Sequence, residues 1–246
     1  MRSRSADRPP SGVSAAIQRL LAARGLYVFR RLPHGVDVGA DLARLVPGFR
    51  PALVFDVGAN VGQSVPRLRD AFAAATIHCF EPGQRAFATL ETAAAGDARV
   101  RCHRLALGAD PGPGRLERRG SFGEKSVLSV GEGDDAREPV AIDTLDAFCA
   151  REGIEHVGYL KIDTEGHDLL VLQGASGLLA RGVDAIEVET GMGHDNALHA
   201  PLARFVEILA PHGHRLFGLY EQTHEWPTGA PHLRRANAVF LREDVR

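Results

Sequence analysis

The 246 residues suit one large α/β domain with appendages better than two small domains. With 44% apolar and 24% charged residues, the chain can bury a substantial core, which excludes the intrinsically disordered class. A formal net charge of −2 argues against nucleic acid or an anionic membrane as a bulk electrostatic partner.

Residues 1–14 are rich in Arg, Ser and Pro and lack an apolar segment, so they are expected to be a disordered lead-in rather than a secretory signal. Residues 15–50 read as a helical N-terminal extension. Its first helix is capped by Ser14 and ended by Gly25. A short strand over Tyr27–Leu32 and a helical turn over Asp41–Leu45 follow. From residue 51 to 246 strand and helix alternate, which marks the main domain. Strands are predicted at Ala52–Val57, Thr76–Phe80, Arg99–Ala106, Val157–Ile162, Ala185–Glu189, Arg215–Tyr220 and Ala238–Leu241. Helices are predicted at Gln63–Ala74, Gln84–Ala95, from Ala141 to Cys149, at Asp168–Leu179 and at Leu202–Ala210. A Gly/Pro-rich interruption and an acidic tract make about 109–140 an insertion of a hairpin and loops, a usual place for a pocket wall.

Successive βα units imply a mainly parallel sheet with right-handed crossovers. The last two strands lack a helix between them, so one of the two is expected to run antiparallel. No run reaches the roughly 18 apolar residues that a bilayer span needs. Cys79, Cys102 and Cys149 have no metal-like spacing and read as free thiols, which favours a reducing, cytoplasmic setting.

The most informative segment is Leu53-Val-Phe-Asp-Val-Gly-Ala-Asn-Val-Gly62. An apolar strand ends in Asp56 and breaks into a turn where Gly58 and Gly62 let the backbone approach a ligand closely. The turn has one glycine fewer than a dinucleotide fingerprint, and its acid would repel a pyrophosphate. A cationic sulfonium with an amino-acid tail would accept Asp56. A tight turn capped by Asp56 is the bland alternative. Glu81 ends the next strand, where a carboxylate can accept both hydroxyls of a ribose; a solvated Glu before Pro82 is the alternative.

A third constellation, Tyr159-Leu-Lys-Ile-Asp-Thr-Glu-Gly-His-Asp168, puts Asp163 and Glu165 at the carboxyl end of a strand. A carboxylate there can take a substrate proton or hold a divalent cation; alternatively Asp163 or Thr164 only caps the next helix. Glu187 and Glu189 share a strand face, so at least one is expected at the cleft. His194, His212 and His214 read as loop residues, and Trp226 either stacks on a ligand or packs on the domain.

Together these segments resemble the FkbM family of S-adenosylmethionine-dependent methyltransferases. The resemblance runs over about residues 50–242 through Val54–Gln63, Cys79-Phe-Glu-Pro82, Leu105–Gly108, Ile142–Asp146, Leu160–Gly166, Ile186–Glu189 and Asn237–Phe240. It implies a class I methyltransferase (Rossmann-like) fold: a seven-stranded, mostly parallel sheet with an antiparallel last strand and helices on both faces. It further implies that Asp56, Gly58, Asn60 and Gly62 hold the methionine part of S-adenosylmethionine and that Glu81 holds its ribose. Asp163, with Glu165 or Glu189 as helper, then falls where an acceptor hydroxyl would approach, and Mg2+ assistance is left open. The acceptor class is a sugar, a glycoside or a polyketide. The competing readings are an NAD-dependent oxidoreductase and a non-catalytic cofactor-binding module. Against the first, no tyrosine of the chain is followed by Lys four residues later.

Overall fold

The computed structural model describes residues 12–29, 31–119, 125–131, 137–193, 196, 199–225 and 228–245. Residues up to His34 form one compact unit and Gly35–Arg246 the other. The first unit holds α1 (Gly12–Ala22), which starts ahead of Ser14; it closes with the Leu26 amide donating to Leu21 O at 3.0 Å. Residues 1–11 of the expected lead-in lie outside the described residues. The strand expected over Tyr27–Leu32 is absent among the described residues there. β-Branched and aromatic residues make a strand only beside a ladder partner, and none among the described residues pairs with this segment.

In the second unit, α2 (Val38–Leu45) starts at Asp37, whose carboxylate accepts from the Ala40 amide at 2.7 Å. The order continues with β1 (Leu53–Val57), α3 (Val65–Ala71), β2 (Thr76–Phe80), α4 (Gln84–Ala94) and β3 (Val100–His103). Next come β4 (Ala106–Leu107), β5 (Gly112–Arg119), β6 (Lys125–Val130) and β7 (Glu138–Asp143). The chain ends with α5 (Leu145–Glu152), β8 (Val157–Ile162), α6 (Asp168–Gln173), α7 (Ser176–Arg181), β9 (Val183–Gly191), α8 (Leu202–Leu209), β10 (His214–His224) and β11 (Leu233–Arg242).

Three expectations need correction. The strand expected over Arg99–Ala106 turns at Leu105, whose amide donates back to His103 O, and its two halves join different sheets. The helix expected from Ala141 begins only at Leu145; Thr144 caps it through Ala147 N at 3.0 Å, and the preceding residues pair as β7. The helix expected over Asp168–Leu179 is two helices. The Asp146 carboxylate takes the Gly177 and Leu178 amides at 2.7 and 2.6 Å, so a second helix starts there.

The main sheet has the order β10-β11-β9-β8-β1-β2-β3, and β11 is antiparallel to both of its neighbours. One face packs Phe55, Leu160, Ile186 and Phe240 against Phe148, Val171, Leu178 and Phe205 from α5 to α8. The other face packs Val54, Tyr159 and Val239 against Leu42, Leu68 and Leu90 from α2 to α4. Every residue of β8 is buried, as a central parallel strand requires. The insertion builds a second sheet, β4-β7-β5-β6, with its own small core of Ala106, Leu116, Leu128 and Ile142. Cys79 and Cys149 are buried and Cys102 is half-buried, all as free thiols. No helix among the described residues is long and apolar enough to cross a membrane.

Candidate active site

The carboxyl ends of β1, β2 and β8 open onto a cleft of about 730 Å³, its mouth included. Its floor is the turn after β1. Gly58 has φ 83°, and a Cβ on it would sit 2.0 Å from Asp163 O. Only glycine lets these two turns meet, and Asp163 N completes the joint by donating to Val57 O at 2.9 Å. Gly58 and Asn60 line the cleft, while Gly62 lies behind the turn against Leu90.

Glu81 stands at the cleft's edge and is 7% exposed. Its Oε1 accepts from Gly83 N at 2.8 Å and its Oε2 from Asn60 N at 3.0 Å. Burial pushes its carboxyl above the ordinary glutamate range, and the two amides pull it back. A carboxylate offers about four acceptor positions, so two amides leave two for a diol. The same cleft has an apolar wall of Leu105, Leu107, Leu116 and Leu128, half of it supplied by the insertion hairpin. A carboxylate for a diol, an apolar slot for a flat ring and a glycine turn between them fit an adenosine with a short polar tail.

Asp56 is not among the cleft-lining residues. It is fully buried, accepts from the Ser64 hydroxyl, and has Lys161 Nζ 3.3 Å from its Oδ1. The register explains this: Asp56, Lys161 and Glu187 are neighbours on β1, β8 and β9, an acid–base–acid row across one face. Lys161 Nζ also reaches Asp163 Oδ2 at 3.2 Å. Burial disfavours its charge, but Asp56 and then Asp163 hold the ammonium well above the usual lysine range. Glu187 is engaged by Arg67 at 2.9 Å, Asn237 at 3.1 Å and the Tyr159 hydroxyl at 2.5 Å. Burial, then Glu187, pushes that hydroxyl far above the ordinary tyrosine value.

Asp163 and Glu165 both line the cleft, with Thr164 and His167 between and beside them. Neither Asp163 nor Thr164 caps α6; instead the buried Asp168 takes the Thr164 amide and hydroxyl at 2.8 and 2.9 Å. Glu165 adopts φ 51°. Glu189 does not line the cleft. It is buried on β9, ion-paired to Arg235, with Oε2 2.6 Å from His199 Nε2. Through His199 it comes near Glu165, the three offering ligand atoms within 4.8 Å of one another. His199 carried no sequence signal, because only the fold brings it to residues 10 and 34 positions away in the chain. His214, expected in a loop, is buried at the start of β10 with Nε2 2.9 Å from Val183 O. His194 and Trp226 lie outside the described residues.

This sheet order, with helices on both faces and a cleft at the carboxyl ends of β1, β2 and β8, defines the class I methyltransferase fold. The chain belongs to the FkbM family: the methyltransferase FkbM domain matches over residues 56–216. Its chemistry is therefore S-adenosylmethionine-dependent methyl transfer. Among solved structures, it is similar to a precorrin-6y C5,15-methyltransferase from Geobacter metallireducens GS-15, with 9% identity, 84% and 88% of the two chains covered and a TM-score of 0.45. Similarity also extends to the cyclase SpnF (12%, 94% and 92%, 0.46) and to a SAM dependent methyltransferase from Aquifex aeolicus (10%, 84% and 91%, 0.43). No curated protein matched.

Proposed function

We propose that the chain methylates a hydroxyl oxygen of a small molecule, with a sugar or glycoside preferred over a polyketide. The observation that carries this reading is the presence of two carboxylates, Asp163 and Glu165, in the same cleft as the Gly58 turn and Glu81. Bound S-adenosylmethionine would supply a methyl group already activated on a sulfonium. Glu81 is the residue to hold the ribose, and Leu116 and Leu128 the side chains to cover the ring. Asp56 then acts one step removed: through Lys161 it fixes Asp163, and through Ser64 it fixes the start of α3.

An alcohol is a poor nucleophile until its proton is taken, and a positioned base is worth typically 10²–10⁴-fold. Asp163 is the favoured base, because Lys161 locks its carboxylate at the cleft wall, with Glu165 as helper. Magnesium assistance on Asp163 itself is disfavoured, since Lys161 already neutralises that carboxylate. The polar residues in the sequence of the insertion and of the last loop are what favour a sugar.

Titration of the full chain with S-adenosylmethionine and, separately, NAD tests the donor. Binding of the first alone is expected. Transfer of labelled methyl to a panel of glycosides, amines and polyketide alcohols then tests the acceptor. Label appearing only on nitrogen or carbon would overturn the hydroxyl reading, and donor binding without turnover on any acceptor would favour a non-catalytic module.

A further inference from the structure

We propose that Glu165, Glu189 and His199 form a divalent-cation site at the acceptor side of the cleft, one that prefers Mn2+ over Mg2+. The three come from the turn after β8, from β9 and from the loop after β9, and each presents a ligand atom within 4.8 Å of the others. Ligand atoms on one cation with bonds of about 2 Å lie no more than about 4 Å apart, so a small side-chain adjustment closes the set.

The imidazole is oriented for the task. Asn196 Nδ2 donates to Arg234 O at 3.3 Å, so its Oδ1 is the atom turned to His199. That oxygen lies 2.9 Å from His199 Nδ1 and accepts from the His199 amide at 3.2 Å. Nδ1 therefore carries a proton, and Nε2, 2.6 Å from Glu189 Oε2, gives up the proton it shares with that carboxylate when it ligates a cation. An outer hydrogen bond that fixes a histidine tautomer is the usual support of a metal-bound imidazole. Arg235 engages Glu189 through Oε1, so Oε2 remains directed toward His199. Arg235 also offsets one of the two carboxylate charges, so the imidazole has to contribute to selectivity. Mg2+ favours oxygen ligands and keeps several waters, whereas one nitrogen with two carboxylates suits Mn2+ or Zn2+ better.

Glu165 belongs to the cleft wall, which sets the cation beside the region assigned to the acceptor. A cation there would lower the pKa of a bound hydroxyl and share the work of Asp163. This use of the site rests on the hydroxyl-acceptor reading, but the site itself does not.

The test is calorimetric titration of the EDTA-stripped full chain with MnCl2, paired with the electron paramagnetic resonance of free Mn2+. One equivalent is expected to bind, at least tenfold more tightly than Mg2+. His199→Ala and the half-buried Glu165→Gln should each weaken Mn2+ at least tenfold, and Asn196→Ala about tenfold. Circular dichroism identifies any variant that fails to fold, and Glu165→Gln leaves the buried Glu189–Arg235 pair untouched. Failure of Mn2+ to bind, or equal affinity in wild type and Glu165→Gln, overturns the site. Equal affinity for Mn2+ and Mg2+ overturns the imidazole ligand. S-adenosylmethionine titrated in EDTA reports on the donor separately: donor binding without Mn2+ binding sinks only the cation site.

Discussion

At the scale of single residues, two carboxylates at neighbouring strand ends have different jobs. Glu81 faces the cleft with acceptor positions to spare, so Glu81→Ala should weaken S-adenosylmethionine at least about tenfold, or ~1.4 kcal/mol, in a calorimetric titration. Unchanged affinity would remove the ribose assignment. Asp56 is fully buried and joined to Lys161, which also holds Asp163. Lys161→Met leaves two carboxylates without their shared cation. The expected loss is about 3–5 kcal/mol in urea unfolding at pH 7, because an uncompensated buried charge is costly. Adding Asp56→Asn should recover part of it. A double variant as unstable as the sum of the singles would show that the pair does not interact.

Among the elements, the break between α6 and α7 has an identifiable cause. Asp146 on α5 accepts from the amides of Gly177 and Leu178, the work of an N-cap done by a residue over 30 positions away. Asp146→Ala should cost about 1 kcal/mol and speed hydrogen exchange at those two amides while leaving the β8 amides protected. The insertion sheet makes a different contribution. Leu116 is 5% exposed within its small core and also lines the cleft. Leu116→Ala should therefore lower stability by about 2–5 kcal/mol and weaken donor binding together; intact binding would detach the hairpin from the cofactor.

For the whole molecule, protonation sets an acid limit on stability. Burial, then His103 and Arg101, lowers His78 to about 4, and its Nδ1 lies 3.1 Å from His103 Nε2. Burial lowers His103, His167 and His214 as well. A histidine depressed in the folded state stabilises the fold above its unfolded value of 6.5, and that stability is lost as pH falls toward 4. Glu81 and Asp168, both raised chiefly by burial, act in the opposite sense. Their contribution is complete below the unfolded values of 4.5 and 3.8 and is lost as pH rises through the folded ones. From pH 6.5 down toward 4 His78 contributes up to about 1.4 kcal/mol per pH unit, and the other three histidines act in the same direction. Urea midpoints are thus expected to fall from pH 7 to pH 5, with a shallower fall in His78→Asn. A flat profile would contradict this account.

Local pattern alone was enough for β1, β2 and β8, because buried parallel strands are short apolar runs ended by turn residues, and for the family segments they carry. It also singled out Glu81, Asp163 and Glu165, since an acid at a strand's carboxyl end is visible without knowing its neighbours. Tertiary structure decided which acid faces the cleft and which lies beneath it. Asp56 and Glu81 look alike in the chain, yet cross-strand register gives one a lysine and leaves the other at the edge. Register and loop closure likewise brought His199 to Glu189 and Leu116 to the cleft wall, contacts between residues far apart in sequence that no local periodicity encodes.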